Sequence, residues 1–223
     1  MCGRVGLGKE ERYAIDARYS LNLRKLRTAP QYNVPPSSML PLLVSHRGKI
    51  EAKAARWGLV PGWSNHTAGF SNARGETAPV KPAFRDAFKW RRGVVVVDHF
   101  FEWEQLGGRV TQPWLFRRTD GKPLLMAALW EPGPSCPSTA IVTIGANEFM
   151  APIHNRMPVI LEEADVDCWM DGGTTVNSAM QLVRPARSET LVKIPVSRRV
   201  STGIDDAAVC DPVTVVEDLR LAL

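Results

Sequence analysis

The hydrophobic pattern of this chain predicts short strands joined by tight turns, with a few helices set between them. Leu40–Ser45 and Ile50–Leu59 read as strands on either side of His46-Arg47-Gly48-Lys49, a hairpin signal. The longest apolar run, Val94-Val95-Val96-Val97, belongs to a buried strand predicted over Gly93–Trp103. Pro113–Arg118 and Lys122–Trp130 flank Thr119-Asp120-Gly121, whose Asp-Gly pair predicts a second hairpin. Thr139–Ile144, Met157–Leu161 and Leu191–Val196 complete the strands. Helices are predicted over residues 9–19, Phe84–Trp90, Glu162–Met170 and residues 174–183. The third of these opens with acidic residues that suit its macrodipole. Hairpins with helices set between them imply an α+β fold built on a curved, barrel-like mixed or antiparallel sheet.

Composition narrows the class. At 223 residues, with 44% hydrophobic and 23% charged positions, the chain suits one domain spanning residues 1–223. No apolar run is long enough to cross a bilayer, so no membrane partner is expected. Without an export signal the expected location is the cytoplasm, with a monomer as the default state. A net charge of +5 leans toward phosphate-bearing partners, although a solvated basic surface explains it equally well. Cys2, Cys136, Cys168 and Cys210 lie far apart, with no zinc-like spacing, so no metal is expected and the thiols are read as reduced. Gly6-Leu7-Gly8 lacks the rest of a nucleotide fingerprint, and no cofactor is expected.

Four places hold chemistry. Cys2, once Met1 is removed, carries a free α-amine and a thiol on adjacent carbons. Its amine can add to an aldehyde as a Schiff base, and its thiol can then close a five-membered thiazolidine ring. A terminal α-amine is much less basic than a lysine, so far more of it is neutral and nucleophilic at pH 7. A frayed terminus is the plainer reading. Ser71-Asn72-Ala73-Arg74-Gly75-Glu76-Thr77 is either a polar loop or a site where the Asn72 amide and Arg74 fork recognise carbonyl and phosphate. On the long strand, period two puts Glu102 on the face of Val94 and Val96. There it is either a general acid with a raised pKa or the partner of an arginine. The same reading points His99 the other way and excludes a metal shared by the two. His154, in Pro152-Ile153-His154-Asn155-Arg156-Met157-Pro158, is either structural or, with Arg156 beside it, substrate-facing. Trp57, Trp63 and Trp103 lie near these segments, as core or as stacking platforms for unpaired bases.

Together these segments resemble the SRAP family, named for SOS-response-associated peptidases and understood as sensors of abasic sites in single-stranded DNA. The pieces that carry the resemblance are Met1-Cys2-Gly3-Arg4, Tyr32-Asn33-Val34, Arg56-Trp57-Gly58-Leu59-Val60-Pro61-Gly62-Trp63, Asn72-Ala73-Arg74-x-Glu76-Thr77, Phe100-Phe101-Glu102-Trp103 and Ile153-His154-x-Arg156-Met157-Pro158. They run in family order from residue 2 to about 197 and leave the tail, 198–223, unmapped. The resemblance implies that Cys2 crosslinks to the ring-opened aldehyde of an abasic deoxyribose as a thiazolidine, with associated Schiff-base and lyase chemistry. It implies catalytic roles for Asn72, which holds the Cys2 end and the sugar, Glu102 as acid and base, and His154 as a proton carrier. It implies DNA contacts from Arg4, Asn33, Arg74 and Arg156, with Trp63 and Trp103 stacking on or wedging between bases.

The chain departs from the family pattern at Pro35, which replaces a usual alanine, and at His99, which replaces a small residue. Glu104 stands where lysine is common, and the tail carries Asp205-Asp206. Two other readings compete. One is a thiol peptidase using Cys2, His154 and Asn72 or Glu102; the other is a non-catalytic single-strand binding module.

Overall fold

The computed structural model describes residues 3–8, 31–46, 48–64, 69–108 and 110–215. Cys2 and the helix predicted over residues 9–19 lie outside these. In chain order the described strands are β1 Val5–Leu7, β2 Gln31–Val34, β3 Met39–His46, β4 Lys49–Trp57, β5 Asn72–Arg74 and β6 Arg92–Val97. They continue with β7 His99–Gly107, β8 Val110–Arg118, β9 Leu124–Glu131, β10 Ser138–Gly145, β11 Arg156–Pro158 and β12 Leu191–Pro195. The described α-helices are short: α1 Arg85–Trp90, α2 Val166–Met170 and α3 Val176–Gln181. None is long and apolar enough to cross a membrane.

The strands form two sheets. One has the order β12-β8-β7-β1-β2, the other β11-β10-β4-β3-β6-β9 with β5 also on β10. Pairing is antiparallel except where β10 meets β4 and β5. The second sheet curls until β9 also pairs with β10 over Ser138–Ile141. Because β10 meets β4 at only two residue pairs, the result is a curled sheet and not a closed barrel. Trp57, Phe100, Phe116, Ile141, Ile153 and Met157 share the apolar cluster between the sheets. A second cluster, with Phe88 against Trp169 at 5.7 Å, lies under the helices.

The strand predicted over Gly93–Trp103 is in fact two. The chain breaks at Asp98, so β6 stays in the curled sheet and β7 enters the five-stranded one. Asp98 is captured by β1 and its end: its backbone N–H donates to the Gly6 carbonyl and its carboxylate accepts from the Gly8 N–H at 3.0 Å. The hairpin predicted at Asp120-Gly121 is likewise a crossing. Gly121 adopts the left-handed φ of 71° a turn needs, yet β8 and β9 lie in different sheets. Arg118 grips the Asp120 carboxylate, and the Thr119 N–H bonds the Thr190 carbonyl, which steers the corner toward β12. The hairpin partner of β8 is β7. Glu162–Met170 is a 3-10 turn followed by α2, and the helix predicted over 174–183 shortens to α3, capped by the Thr175 hydroxyl.

Part of the unmapped tail is structural. Residues 196–213 fold back on the five-stranded sheet, where Val196 bridges Pro212 and Val200 and Val209 pack on Phe101 and Leu115. The pairs Val192–Arg117 and Ile194–Leu115 set β12 beside β8 as the edge strand of that sheet.

Candidate active site

Strand β7 presents different chemistry on its two faces. Phe100, Glu102 and Glu104 alternate with His99, Phe101 and Trp103. Phe100 stacks on Phe116 at 5.0 Å in the inter-sheet core, so Glu102 follows it inward and is 2% exposed. Burial pushes its carboxyl up to about 7, against a backbone hydrogen bond from Trp103. The direction is upward, opposite to what an arginine partner would impose. Glu102 is buried, but not on the face of Val94 and Val96 as read from sequence: those valines pack under the helices, Phe100 packs with Val95 and Val97, and the break at Asp98 resets the alternation.

Strand β1 brings the start of the described chain to this carboxyl. Val5 pairs with Phe100, and the Phe101 N–H donates to the Arg4 carbonyl at 3.0 Å. The same register carried two residues further puts Gly3 opposite Glu102. Arg4 Nη1 donates to Asn33 Oδ1 at 3.1 Å. Asn33 itself is 1% exposed, and its amide nitrogen donates to the carbonyls of Val200 and Ile204. Asn33 therefore cannot touch DNA as expected: its polar atoms are engaged inside the protein, and what it can do is hold Arg4.

A second group gathers near the C-terminal end of β10. Asn72 pairs in register with Ile141, Arg74 with Thr143, and Arg156 with Gly145. The Trp57 indole donates to the Ser71 carbonyl at 2.8 Å, which fixes the backbone just before Asn72. The Asn72 amide donates to Ser71 Oγ. Arg74 is exposed on β5. Arg156 forks onto Glu76, with Nη2 2.9 Å from Oε2, and the same nitrogen donates to the Thr143 carbonyl at 2.7 Å. The Arg156 fork holds the Glu76 carboxyl below its ordinary range. His154 Nδ1 lies 3.0 Å from the Arg156 N–H and 3.1 Å from the Arg156 carbonyl, so the backbone of Arg156 fixes this side of the ring. Burial keeps the His154 pKa below its usual value, favouring the neutral form at neutral pH.

Asn72 and Arg74 thus lie on β5 and Arg156 on β11, the strands either side of β10, with His154 in the turn before β11. Glu102 and Arg4 sit on the other sheet. Phe100 of that sheet packs in one apolar cluster with Ile141, Ile153 and Met157 of the curled sheet. The tryptophans are not brought together. Trp57 is core, Trp63 is 68% exposed, and Trp103 lies on the outer face of β7 with its indole donating to Ser201 Oγ at 2.9 Å. Sequence reasoning missed Glu76 as the partner of Arg156; the two are 80 residues apart, and no local pattern marks them. It also missed β1, which aligns the start of the chain.

The chain is 30% identical to the abasic site processing protein YoqW of Bacillus subtilis over 216 residues, covering 91% of this chain and 95% of that protein. It is 32% identical to the abasic site processing protein HMCES of Gallus gallus, covering 84% of this chain and 67% of that protein. A solved structure of a Bacteroides thetaiotaomicron protein superposes with a TM-score of 0.82 at 19% identity, covering 96% of this chain and all of that one, a likeness of fold. The family described as SOS response associated peptidase (SRAP) matches residues 1–203, which takes in β1, the buried glutamate and the β10 group alike. The chain belongs to the SRAP family.

Proposed function

We propose that this protein captures abasic sites in single-stranded DNA as a covalent adduct on Cys2. The observation that carries the proposal is the register of β1 on β7, which runs the chain start toward a buried carboxyl with a pKa near neutrality. The names of the relatives, both abasic site processing proteins, supply the substrate.

The chemistry balances without a cofactor. The Cys2 amine adds to the aldehyde of the ring-opened deoxyribose and water leaves, giving a Schiff base. The thiol then adds across the C=N bond and its proton moves to nitrogen, closing the thiazolidine. Glu102, with its carboxyl near 7, is part protonated at working pH, so it can give a proton to the departing oxygen and take one from the amine. His154 in its neutral form exchanges a proton with a sugar hydroxyl. The Asn72 amide orients the sugar. Arg74 and the Asn33-held Arg4 receive the flanking phosphates, while Arg156 keeps the His154 loop and Glu76 in register. Trp63 offers an exposed indole on which a flanking base stacks.

The test is denaturing electrophoresis and intact mass after mixing Met1-processed protein with an oligonucleotide bearing one abasic site. The expected product is a denaturation-resistant adduct of protein plus DNA less one water, absent in Cys2→Ser. A protein that binds the DNA but forms no adduct overturns the proposal. Placing one glycine before Cys2 separates it from a thiol peptidase: the extension removes the aminothiol, whereas peptide cleavage by the thiol would survive.

A further inference from the structure

The outer face of β7 carries a set of groups that abasic-site capture does not use. His99 and Asp98 stand at the start of the strand, and residues 196–213 lay Cys210 over them. The His99 Nδ1 is 2.6 Å from Asp98 Oδ1, and Asp98 is itself oriented by the Gly8 N–H on its other oxygen at 3.0 Å. The His99 Nε2 faces the Tyr32 carbonyl at 2.8 Å and Cys210 Sγ at 3.6 Å. A nucleophile, an imidazole and a carboxylate therefore lie in line, drawn from segments 111 residues apart. Gly6 makes the imidazole's place: a Cβ there would come within 2.2 Å of Nε2.

These groups line an open cavity of about 400 Å³. Its wall continues through Arg117, Arg118 and Lys122, with Tyr32, Leu115 and Ile194 as apolar lining. Arg117 pairs in register with His99, so the two side chains rise from the same face. Arg118 is engaged by Asp120 in a two-bond fork and Lys122 only by a looser, exposed ion pair to Glu163 at 3.6 Å, so Arg117 and Lys122 are the cations best placed to meet a ligand.

We propose that Cys210 is a second reactive thiol, and that this cavity admits small carboxylate-bearing disulfides which exchange with it. Sγ attacks one sulfur of the disulfide, the S–S bond breaks, and a Cys210 mixed disulfide forms. The Cys210 proton ends on the released thiol, so Cys210 is oxidised as the leaving half is reduced. Asp98 holds His99 as the imidazolium against the effect of burial, which places a fixed cation beside the sulfur that attack must charge. The basic wall supplies the preference for an anionic partner.

The experiment is timed, sub-stoichiometric reaction of the full chain with dianionic 5,5′-dithiobis(2-nitrobenzoate), resolved site by site by peptide mass spectrometry. Cys210, though half-buried, is expected to react about tenfold faster than exposed Cys168. Lys122→Gln with Arg117→Gln on the rim should erase the advantage toward the dianionic reagent and leave the rate with neutral 2,2′-dithiodipyridine unchanged. His99→Gln should slow Cys210 toward both reagents, and the rim variant keeps the test valid if the buried change unfolds the protein. Wild-type Cys210 reacting no faster than Cys168 overturns the proposal, as does an equal loss toward both reagents in the rim variant. Neither result bears on capture by Cys2.

Discussion

Glu102 and His99 lie three residues apart on one strand, both buried, and burial acts against the charged form of each. For Glu102 that penalty prevails, and the carboxyl rises to about 7. For His99 the same penalty would lower the pKa, yet it stands at about 10, because hydrogen bonds to Asp98 and Cys210 outweigh burial. The inner face thus holds an acid that can release its proton near neutrality, and the outer face a cation that stays charged. One strand serves two chemistries because a carboxylate was placed beside His99, while at Glu102 burial prevails.

Linkage gives both faces the same sign in different windows. Glu102 rises from 4.5 to about 7 in the folded state, which therefore binds its proton more tightly than the unfolded chain. Its contribution is full below about 4.5 and is lost as pH rises through 7. His99, raised from 6.5 to about 10, contributes fully below about 6.5 and loses that contribution as pH rises through 10. The largest expected effect follows from breaking the outer pair. Asp98→Asn should destabilise the protein by about 3–5 kcal/mol at pH 6. The gap should narrow as pH approaches 10, as read by urea denaturation at both values. A pH-independent gap would mean that Asp98 acts only through its hydrogen bond to Gly8.

The inner face predicts the reverse pairing of effects. Glu102→Gln should slow adduct formation about 100-fold while leaving DNA binding intact. At pH 8 the variant should be no less stable than wild type, since it removes a carboxylate that is ionised while buried. The wild-type rate should also change across pH 7 in a way the variant's does not, measured by quenched electrophoresis at a series of pH values.

The same contrast explains what was legible in the sequence. The hairpin of β3 and β4, the helix α1, and strands β10 and β12 follow from local pattern, because each is set by its own periodicity and turns. Glu102 was legible because its neighbours are aromatic and apolar. The break at Asp98 was not, since four valines precede it and a phenylalanine pair follows without a change of pattern, and the cause is a backbone contact with Gly6. The Asp120-Gly121 turn misled for a related reason: the turn forms, but Arg118 and Thr190 decide where the next strand goes. Asn33, Glu76 and Cys210 take their roles from partners 80 to 172 residues away. Such pairs leave no trace in a single sequence.

A smaller effect should divide the tryptophans by face. Trp63→Ala, removing an exposed indole, should weaken single-stranded DNA binding by about 1–3 kcal/mol. Trp103→Ala, on the outer face against Ser201, should change it less. Fluorescence anisotropy with an unmodified oligonucleotide separates the two, and equal losses would mean that both indoles meet DNA.

The smallest effect asks whether the faces are independent. Asp205 belongs to the outer segment, yet its Oδ1 accepts the Asn33 N–H at 2.9 Å, and Asn33 in turn holds Arg4 on the way to Glu102. Asp205→Ala removes a charged acceptor from an exposed edge and leaves the Asn33 side chain its bonds to Val200 and Ile204. Arg4 should therefore loosen without being lost, weakening DNA binding by about 0.5–1.5 kcal/mol. Because Arg4 would meet a phosphate, the slope of log affinity against log salt should flatten by less than one, compared with about one for Arg4→Gln. An Asp205→Ala slope as flat as that of Arg4→Gln would mean that the tail alone holds Arg4 in place. An unchanged slope with unchanged affinity would mean that the inner face stands without the outer one.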